Sequence, residues 1–524
     1  MEKVDLTIIE TSDIHGNVYP HSYSNHESLP LGLARISTYI KQERSKKENL
    51  LLIDNGDLIQ GTPLTYHYVK KLSEQKNPMI KLLNALSFDA AIVGNHEFNY
   101  GKDILIKAVD ESNFPWLSAN ILNQDTNEPF FGNSYIIKSF AGVKVAILGA
   151  TTHYIPNWEE PEHIKGIHFE DALETIKKWV REIREVEKPD ILLVSYHGGF
   201  ERDIVTGEET EAPTGENQAY RICKEVGEID ILLTGHQHRQ IASELNGVLI
   251  LQPGFNGQAV GKIELTLSQQ EHTMKWKIDR SSVKVDPLDT YEIDHEILEC
   301  VNEYEEAAQA WLDQPIGHIQ GDMEIHDPFS LRLEDNPLIE FINKVQMEAA
   351  GVDISNTALF HNHSPGFKES VTIRDIVSNY IYPNTLKVIR LKGHDIKGAL
   401  ERSATYFTLT EEGEIKVNPT FSSPKPQHYN YDMWEGIDYI LDISQPVGER
   451  VVKLVYKGMP MNLHKEYDVV MNNYRAGGGG EYTMFKGKPV IKDIPLDMSE
   501  LIANYLLEFK TFKATVNHNW KVIW

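Results

Sequence analysis

Two cysteines in 524 residues, Cys223 and Cys300, are too few for a disulfide framework, and neither lies in a metal-spaced motif. Both read as buried or half-buried thiols. Positive charge is also short: 51 Lys and Arg stand against 77 Asp and Glu, a formal net charge of −26. Such a chain has no surplus with which to neutralise a nucleic-acid backbone, so no DNA or RNA polymer is expected as partner. A small anion is not excluded, because bound metal ions can dominate the field at a site. The start, MEKVDLTIIETSD, has no basic segment and no long apolar run before its first strand. Neither a signal peptide nor a membrane span is visible. The direct expectation is a cytoplasmic protein without a membrane partner, although an exported enzyme trimmed to its mature form would look the same. Internal repeats and low-complexity tracts are missing too, Gly477 to Gly480 being the nearest thing to one.

What is present is a chain too long for one ordinary core, so two domains or a few are expected. Its 41% hydrophobic and 24% charged residues are ordinary for a globular enzyme. The first half alternates strand-like apolar runs with polar helical stretches, the rhythm of a doubly wound α/β domain. A helix opens at Gly32 to Ile36, and the spacing predicts another over Ala172 to Val186. KIELTLS and TMKWKID alternate as antiparallel strands would. Asp294 to Leu312 reads as a connecting helix ended by Asp313-Gln314-Pro315. Beyond it, a helix over Pro337 to Gly351 and the strands NTLKVIRLKG, IDYILDIS, RVVKLVYKG and YDVVMNN make a second α/β domain, expected to have no metal-ligand cluster.

Five apolar runs end in potential ligands: LTIIETS before Asp13-x-His15, LLLIDNGD at Asp57, DAAIVGNHE at Asn95-His96, ILLVSYHGG at His197, and IDILLTGHQH at His236 and His238. A doubly wound sheet sets strand ends side by side on one rim, so ligands distant in sequence converge there. Asp13 and His15, two apart, point to the same side if the segment is extended, and His236 and His238 repeat that spacing. Each residue alone has an ordinary reading: Asp13 as a helix cap, Asn95 as a turn residue, His197 as a core histidine. The ordered set is what chance explains poorly. Two aspartates, one asparagine and four histidines are about what two divalent metals sharing one carboxylate require.

This ordered set resembles the calcineurin-like metallophosphoesterases. The resemblance implies a four-layer αββα domain in which Asp13, His15, Asp57 and His238 hold one metal. Asp57, Asn95, His197 and His236 hold the other. Mixed oxygen and nitrogen ligands suit Mn, Zn, Co or Fe. His96 is then not a ligand but serves the transferring phosphoryl group or its leaving oxygen. In the related 5′-nucleotidases an aspartate three residues on orients that histidine. Here the position is Asn99, which can orient a ring but carries no charge.

In the second half, Tyr380 to Leu386 and Asn472 to Gly480 combine aromatics with tight backbone. The ordinary reading is a buried tyrosine in a strand beside a flexible turn. The nearly full-length chain, however, resembles the 2′,3′-cyclic-nucleotide 2′-phosphodiesterase/3′-nucleotidase branch of the 5′-nucleotidase superfamily. The residues that carry this are Gly56 to Leu64, the run from His96 to Gly101, and His197 to Asp203. Further along come Tyr382 to Leu386, Tyr429 to Asp432 with Glu435-Gly436, and Asn473 to Ala476. By that resemblance residues 1–288 are the metallophosphoesterase domain, 289–315 the linker helix, and 316–524 a substrate-binding domain that rotates about the linker. Tyr382 and Tyr474 would stack on the base, with Arg475, Ala476, Gly477, Gly478, Gly479 and Gly480 lining the nucleoside.

The expected activity is opening of 2′,3′-cyclic nucleotides to 3′-nucleotides and their dephosphorylation, with a mononucleotide as the small-molecule partner. A 5′-nucleotidase or UDP-sugar hydrolase with the same metals is the nearest alternative. A nuclease and a non-catalytic nucleotide-binding scaffold are the alternatives from other classes. That branch is usually exported, and no export signal is visible here, a departure that bears on the expected compartment and not on the chemistry.

Overall fold

In the computed structural model the chain packs as two compact units, Met1–Ala308 and Gln309–Trp524, the division falling inside one helix. All residues except 1, 25, 212, 272, 273, 381, 383, 424 and 495 are described. Thr273, which opens TMKWKID, and Ile381 and Pro383 of the Tyr380 segment thus lie outside the described residues.

The first unit begins with strand β1, Lys3–Thr11, then helix α1, Leu33–Lys46, and strands β2, Leu50–Asp54, and β3, Ala90–Ile92. These three strands run parallel, and Ala259–Gln269 and Trp276–Pro287 extend the sheet antiparallel beyond β1. Helix α2, Ala172–Val186, precedes β4, Ile191–His197, and β5, Ile231–Thr234, lies beside it. These two strands belong to a second six-stranded sheet, parallel at its centre with antiparallel edges. The five ligand-bearing runs therefore end on two sheets rather than on one rim.

The reason is legible in the packing. Leu6, Ile8, Leu51 and Ile53 of the first sheet share a core with Leu193, Ile231 and Leu233 of the second. The alternate residues Ile9 and Leu52 pack under Ile36 and Ile40 of α1, and Leu192 and Val194 under Ile176 and Val180 of α2. Each strand is buried on both faces, which is why it reads as a continuous apolar run. The result is a four-layer αββα arrangement.

Helix α3, His295–Leu312, spans the division between the units. Its buried stripe is Ile297, Val301, Tyr304 and Ala308. Cys300 falls off that stripe and is exposed, whereas Cys223 is buried. The sequence expectation that both thiols are at least half buried fails at Cys300 for this reason of phase.

In the second unit, helix α4, Pro337–Ala350, is capped by the Asn336 side chain and closed by Gly351 at φ 73°. It packs on a five-stranded mixed sheet that includes Ile354–Ala358, β6, Leu386–Lys392, and β7, Glu466–Asn472. Among the described residues no helix is long and apolar enough to cross a membrane.

This unit corrects one reading. Asp335, Glu340 and Glu435 bring carboxylate oxygens within 4.8 Å of one another, all three buried, although no spacing in the sequence links them. They are joined through the segment 515–518. Thr515 Oγ1 and the Asn517 amide donate to Glu340, Asn517 Nδ2 donates to Glu435, and the His518 amide donates to Asp335. Burial, with the charges of Asp335 and Glu340, raises Glu435 from its ordinary 4.5 to about 7. The folded state then holds this proton more tightly than the unfolded chain. Its contribution is present at low pH and is lost as pH climbs from 4.5 through about 7. Thermal denaturation at pH 5 and pH 7.5 is expected to show a loss of stability over that window that shrinks in Glu435→Gln. An unchanged pH slope in the variant would assign it to other groups.

Candidate metal centre

Each candidate ligand lies at or just after a strand end, and five of the seven sit on backbone that the fold holds away from ordinary conformations, Asn95 and His197 being the exceptions. Asp13, His15, Asp57, His236 and His238 have φ of 52°, 49°, 56°, 67° and 57°. Non-glycine residues seldom adopt this left-handed region, and such strain clusters at functional sites. The Asp13–His15 segment is therefore a turn and not extended, and the same holds for His236–His238. Their side chains converge through left-handed turns instead of strand alternation. The turns are tied together by backbone: the Asp13 amide donates to Gly56 O at 2.9 Å, and the His15 amide to Asp57 O at 2.8 Å. Glycine is required where these loops pass closest. A Cβ on Gly94 would lie 2.4 Å from Asp57 Oδ1, and one on Gly56 2.7 Å from the Gly94 amide nitrogen.

Two clusters result, each with its donor atoms within 4.8 Å of one another: Asp13, His15 and His238, and Asp57, His197 and His236. In the first, His238 Nε2 is 3.4 Å from Asp13 Oδ1 and 3.1 Å from His15 Nε2. In the second, His197 Nε2 is 3.2 Å from Asp57 Oδ2. Asn95 Oδ1 joins it, 2.8 Å from His236 Nδ1 and 3.1 Å from His197 Nε2.

The outward nitrogens decide the tautomers. His15 Nδ1 donates to Gln60 O at 3.2 Å and His197 Nδ1 to Asn55 O at 2.6 Å, while His236 Nε2 donates to Glu216 Oε1 at 2.9 Å. Each ring thus turns a lone pair inward, as metal-binding histidines do when an outer acceptor holds the other nitrogen. Lone pairs and carboxylate oxygens converging at about 3 Å repel unless a cation lies among them. Asp57 Oδ2 is buried and has no hydrogen-bond donor. The donor set therefore fits divalent cations. The electrostatics agree in direction. Burial opposes ionisation of Asp57, but His197, His96 and His15 hold its carboxyl well below the usual range. Burial likewise disfavours a charged His197, yet Asp57, with Asp13 and Glu97, raises it to about 10. The field that would hold a proton on His197 Nε2 also favours a divalent cation in its place, and the lone pair faces inward once a cation displaces that proton.

His96 belongs to neither cluster. Its amide donates to Asp57 Oδ1 at 2.7 Å, its ring packs edge-on at 5.2 Å from that of His15, and its Nδ1 is 2.6 Å from Asn99 Oδ1. Several supporting residues were not singled out from sequence. The fully buried Glu97 accepts from the amides of Asp57, Leu58 and Gly94 at 2.8, 2.6 and 2.7 Å, fixing the loop that carries Asp57. Trp158 stacks on His236 and Phe255 on His238. The Glu after Asn95-His96 was visible as part of a motif; Glu216, Trp158 and Phe255 come from loops with no pattern to mark them.

In the second unit the antiparallel register pairs Leu386 with Asn472, so the segments before β6 and after β7 leave the same end of the sheet. The Asn473 amide donates to Thr385 O at 3.0 Å there, the Tyr382 ring lies 6.0 Å from that of Phe360, and the Tyr474 ring 6.5 Å from that of Tyr429. Gly479 lies against the Tyr474 ring, where a Cβ would come within 2.5 Å of ring carbons. Gly478 and Gly480 have φ of 89° and 70°. Arg475 and Ala476 are buried. The Arg475 guanidinium is 2.9 Å from Asp432, donates to Tyr429 O and Gly479 O, and lies 4.0 Å from the Tyr482 ring centre. Its donors are spent on protein, and it anchors the glycine loop from behind.

Comparison with known proteins agrees with this division. Residues 6–240 match the family described as calcineurin-like phosphoesterase, and residues 315–487 the 5′-nucleotidase C-terminal domain. A 2′,3′-cyclic-nucleotide 2′-phosphodiesterase/3′-nucleotidase of Haemophilus influenzae is 28% identical, over 99% of this chain and 87% of that one. The trifunctional nucleotide phosphoesterase YfkN of Bacillus subtilis is 25% identical over 99% of this chain, which spans only 39% of that longer protein. The crystal structure of a putative 5′-nucleotidase from Staphylococcus aureus, in complex with alpha-ketoglutarate, superposes with a TM-score of 0.90. It is 35% identical and covers 99% of this chain and 100% of its own.

Proposed function

This chain belongs to the 5′-nucleotidase family of calcineurin-like phosphoesterases, and we propose that it hydrolyses 2′,3′-cyclic nucleotides to 3′-nucleotides and these to nucleoside and phosphate. The observation that carries the chemistry is the convergence of Asp13, His15 and His238 beside Asp57, His197, His236 and Asn95, with lone pairs turned inward. These seven residues would hold two divalent cations, which when bound supply charge to activate water and to neutralise phosphoryl oxygens. Manganese, zinc, cobalt and iron all suit the donors. Asn55, Gln60 and Glu216 keep the imidazoles in their ligating tautomers. His96, beside the cluster but outside it, serves the oxygen that leaves phosphorus, and Asn99 orients its ring. We assign this chemistry to residues 1–288, nucleoside binding to 316–524 and the linker to 289–315. Fractionation of cells expressing the native gene distinguishes cytoplasmic residence from export of a trimmed mature form.

Tyr382 and Tyr474 would grip the base, with Gly477 to Gly480 and Ala476 shaping the nucleoside wall. Tyr382→Ala and Tyr474→Ala are each expected to weaken nucleotide binding by ~1–3 kcal/mol, one lost stacking face. Bis(p-nitrophenyl) phosphate has no base, and its hydrolysis should be spared. Equal losses on that diester and on 2′,3′-cyclic AMP would make the tyrosines structural. A panel of 2′,3′-cyclic AMP, 3′-AMP, 5′-AMP and UDP-glucose tests the substrate assignment. Preference for the first two supports it; preference for 5′-AMP or UDP-glucose would replace it with the alternative.

A further inference from the structure

Asn99 stands where the 5′-nucleotidases use a charged orienting residue, and its surroundings supply what its own side chain lacks. Asn99 Nδ2 donates to Glu159 Oε2 at 2.8 Å, while Asn99 Oδ1 lies 2.6 Å from His96 Nδ1. The Glu159 side chain is only 6% exposed. Its other oxygen, Oε1, accepts from the Glu160 amide and from His163 Nδ1, each at 2.8 Å. Oε2 is thus left for Asn99. An isolated asparagine can present either end of its amide to a histidine. A carboxylate at one end accepts only, so it forces the amide nitrogen toward itself and the oxygen toward His96. His96 Nδ1 must then carry the proton of that contact, which assigns the reacting group to Nε2. The negative charge also polarises the amide and strengthens its oxygen as an acceptor.

We propose that Glu159 is a positioning residue for phosphoryl transfer, acting on His96 through Asn99. The inference rests on the reading above that His96 serves the leaving oxygen. In that step His96 enters protonated on both nitrogens: water's oxygen joins phosphorus, the bond from phosphorus to the ribose oxygen breaks, that oxygen takes the Nε2 proton, and the proton shed by the water passes to solvent. A ribose alkoxide needs that proton, whereas p-nitrophenolate leaves without it. The relay is therefore visible in leaving-group dependence, which a general loss of structure does not change selectively. It also explains the residue type at position 99. An aspartate there would set two carboxylates about 3 Å apart, leaving the charge on His96 to be shared between them.

The test uses Glu159→Gln, Asn99→Asp and the double variant in the full-length, metal-loaded protein. Glu159→Gln is expected to lower kcat on 3′-AMP by about 100-fold, the lower end of the range spanned by general acid catalysis. KM, bound metal and kcat on bis(p-nitrophenyl) phosphate should stay near wild type. Asn99→Asp alone should be impaired, and adding Glu159→Gln should recover activity by removing the repulsion. Equal losses on both substrates, loss of metal, or no loss on 3′-AMP would overturn the relay. If Glu159→Gln fails to fold, Asn99→Asp alone decides: undiminished kcat on 3′-AMP in that variant overturns the relay. A wild type inactive on every nucleotide tested would overturn the functional reading and this inference together. An active wild type with a fully active Glu159→Gln variant would overturn the relay alone.

Discussion

Replacing Asp57 by asparagine is expected to lower kcat by about a thousandfold or more, ~4 kcal/mol of transition-state stabilisation. No other candidate ligand combines so many roles. Its Oδ2 faces His197 at 3.2 Å with no donor of its own, and its Oδ1 receives the His96 amide at 2.7 Å. The loop that carries it is held by three amides on the buried Glu97. Asparagine keeps the size and can still accept from His96, so the loop should persist while the charge is lost. Metal content by elemental analysis should fall together with phosphate release. Near-normal turnover in Asp57→Asn would remove the residue from the centre of the account.

Arg475→Ala should instead destabilise the second unit, by about 3–5 kcal/mol, the usual cost of leaving a buried partner charge uncompensated. Arg475 and Asp432 are each 2% exposed. Burial already raises the Asp432 carboxyl, with Arg475 opposing that rise. The same guanidinium holds Tyr429 and Gly479 by their carbonyls, so the glycine loop should loosen as well. Denaturant unfolding followed by tryptophan fluorescence measures the loss, with Trp434 and Trp520 buried in this unit. A change under 1 kcal/mol would mean that solvent reaches Asp432 once the arginine is gone. Arg475→Met, which fills the space without charge, should cost nearly as much, because Asp432 remains buried.

The contrast between these two residues shows what the sequence carries and what it does not. Asp57 was legible because an apolar run ending in Asn-Gly-Asp marks a strand and a tight turn, and both are there. The helix over Ala172 to Val186 was legible for the same kind of reason, since its apolar stripe repeats at helical spacing. Arg475 read as a substrate contact because it follows Tyr474 in a shared motif. Its burial depends on Asp432, Tyr429 and Tyr482, which only the folded chain brings around it.

The left-handed backbone at Asp13 and His15 was hidden too. Spacing of two suggests a strand, and nothing local shows that Gly56 O and Asp57 O capture the amides of a turn. Glu216 and Glu159 were hidden for a further reason. They hold His236 and Asn99 from 20 and 60 residues away in the chain, in loops whose composition is unremarked. The acidic group Asp335, Glu340 and Glu435 spans a hundred residues in the same way. Ligands at strand ends leave a pattern in the sequence; the groups that orient them leave none.

Stripping the protein with a chelator and titrating Mn²⁺ back while following phosphate release from 3′-AMP and 2′,3′-cyclic AMP tests the central claim most directly. The account predicts that stripped protein is inactive on both, and that activity returns on both together and saturates near two equivalents of metal per chain. Undiminished turnover by the metal-free protein would contradict it.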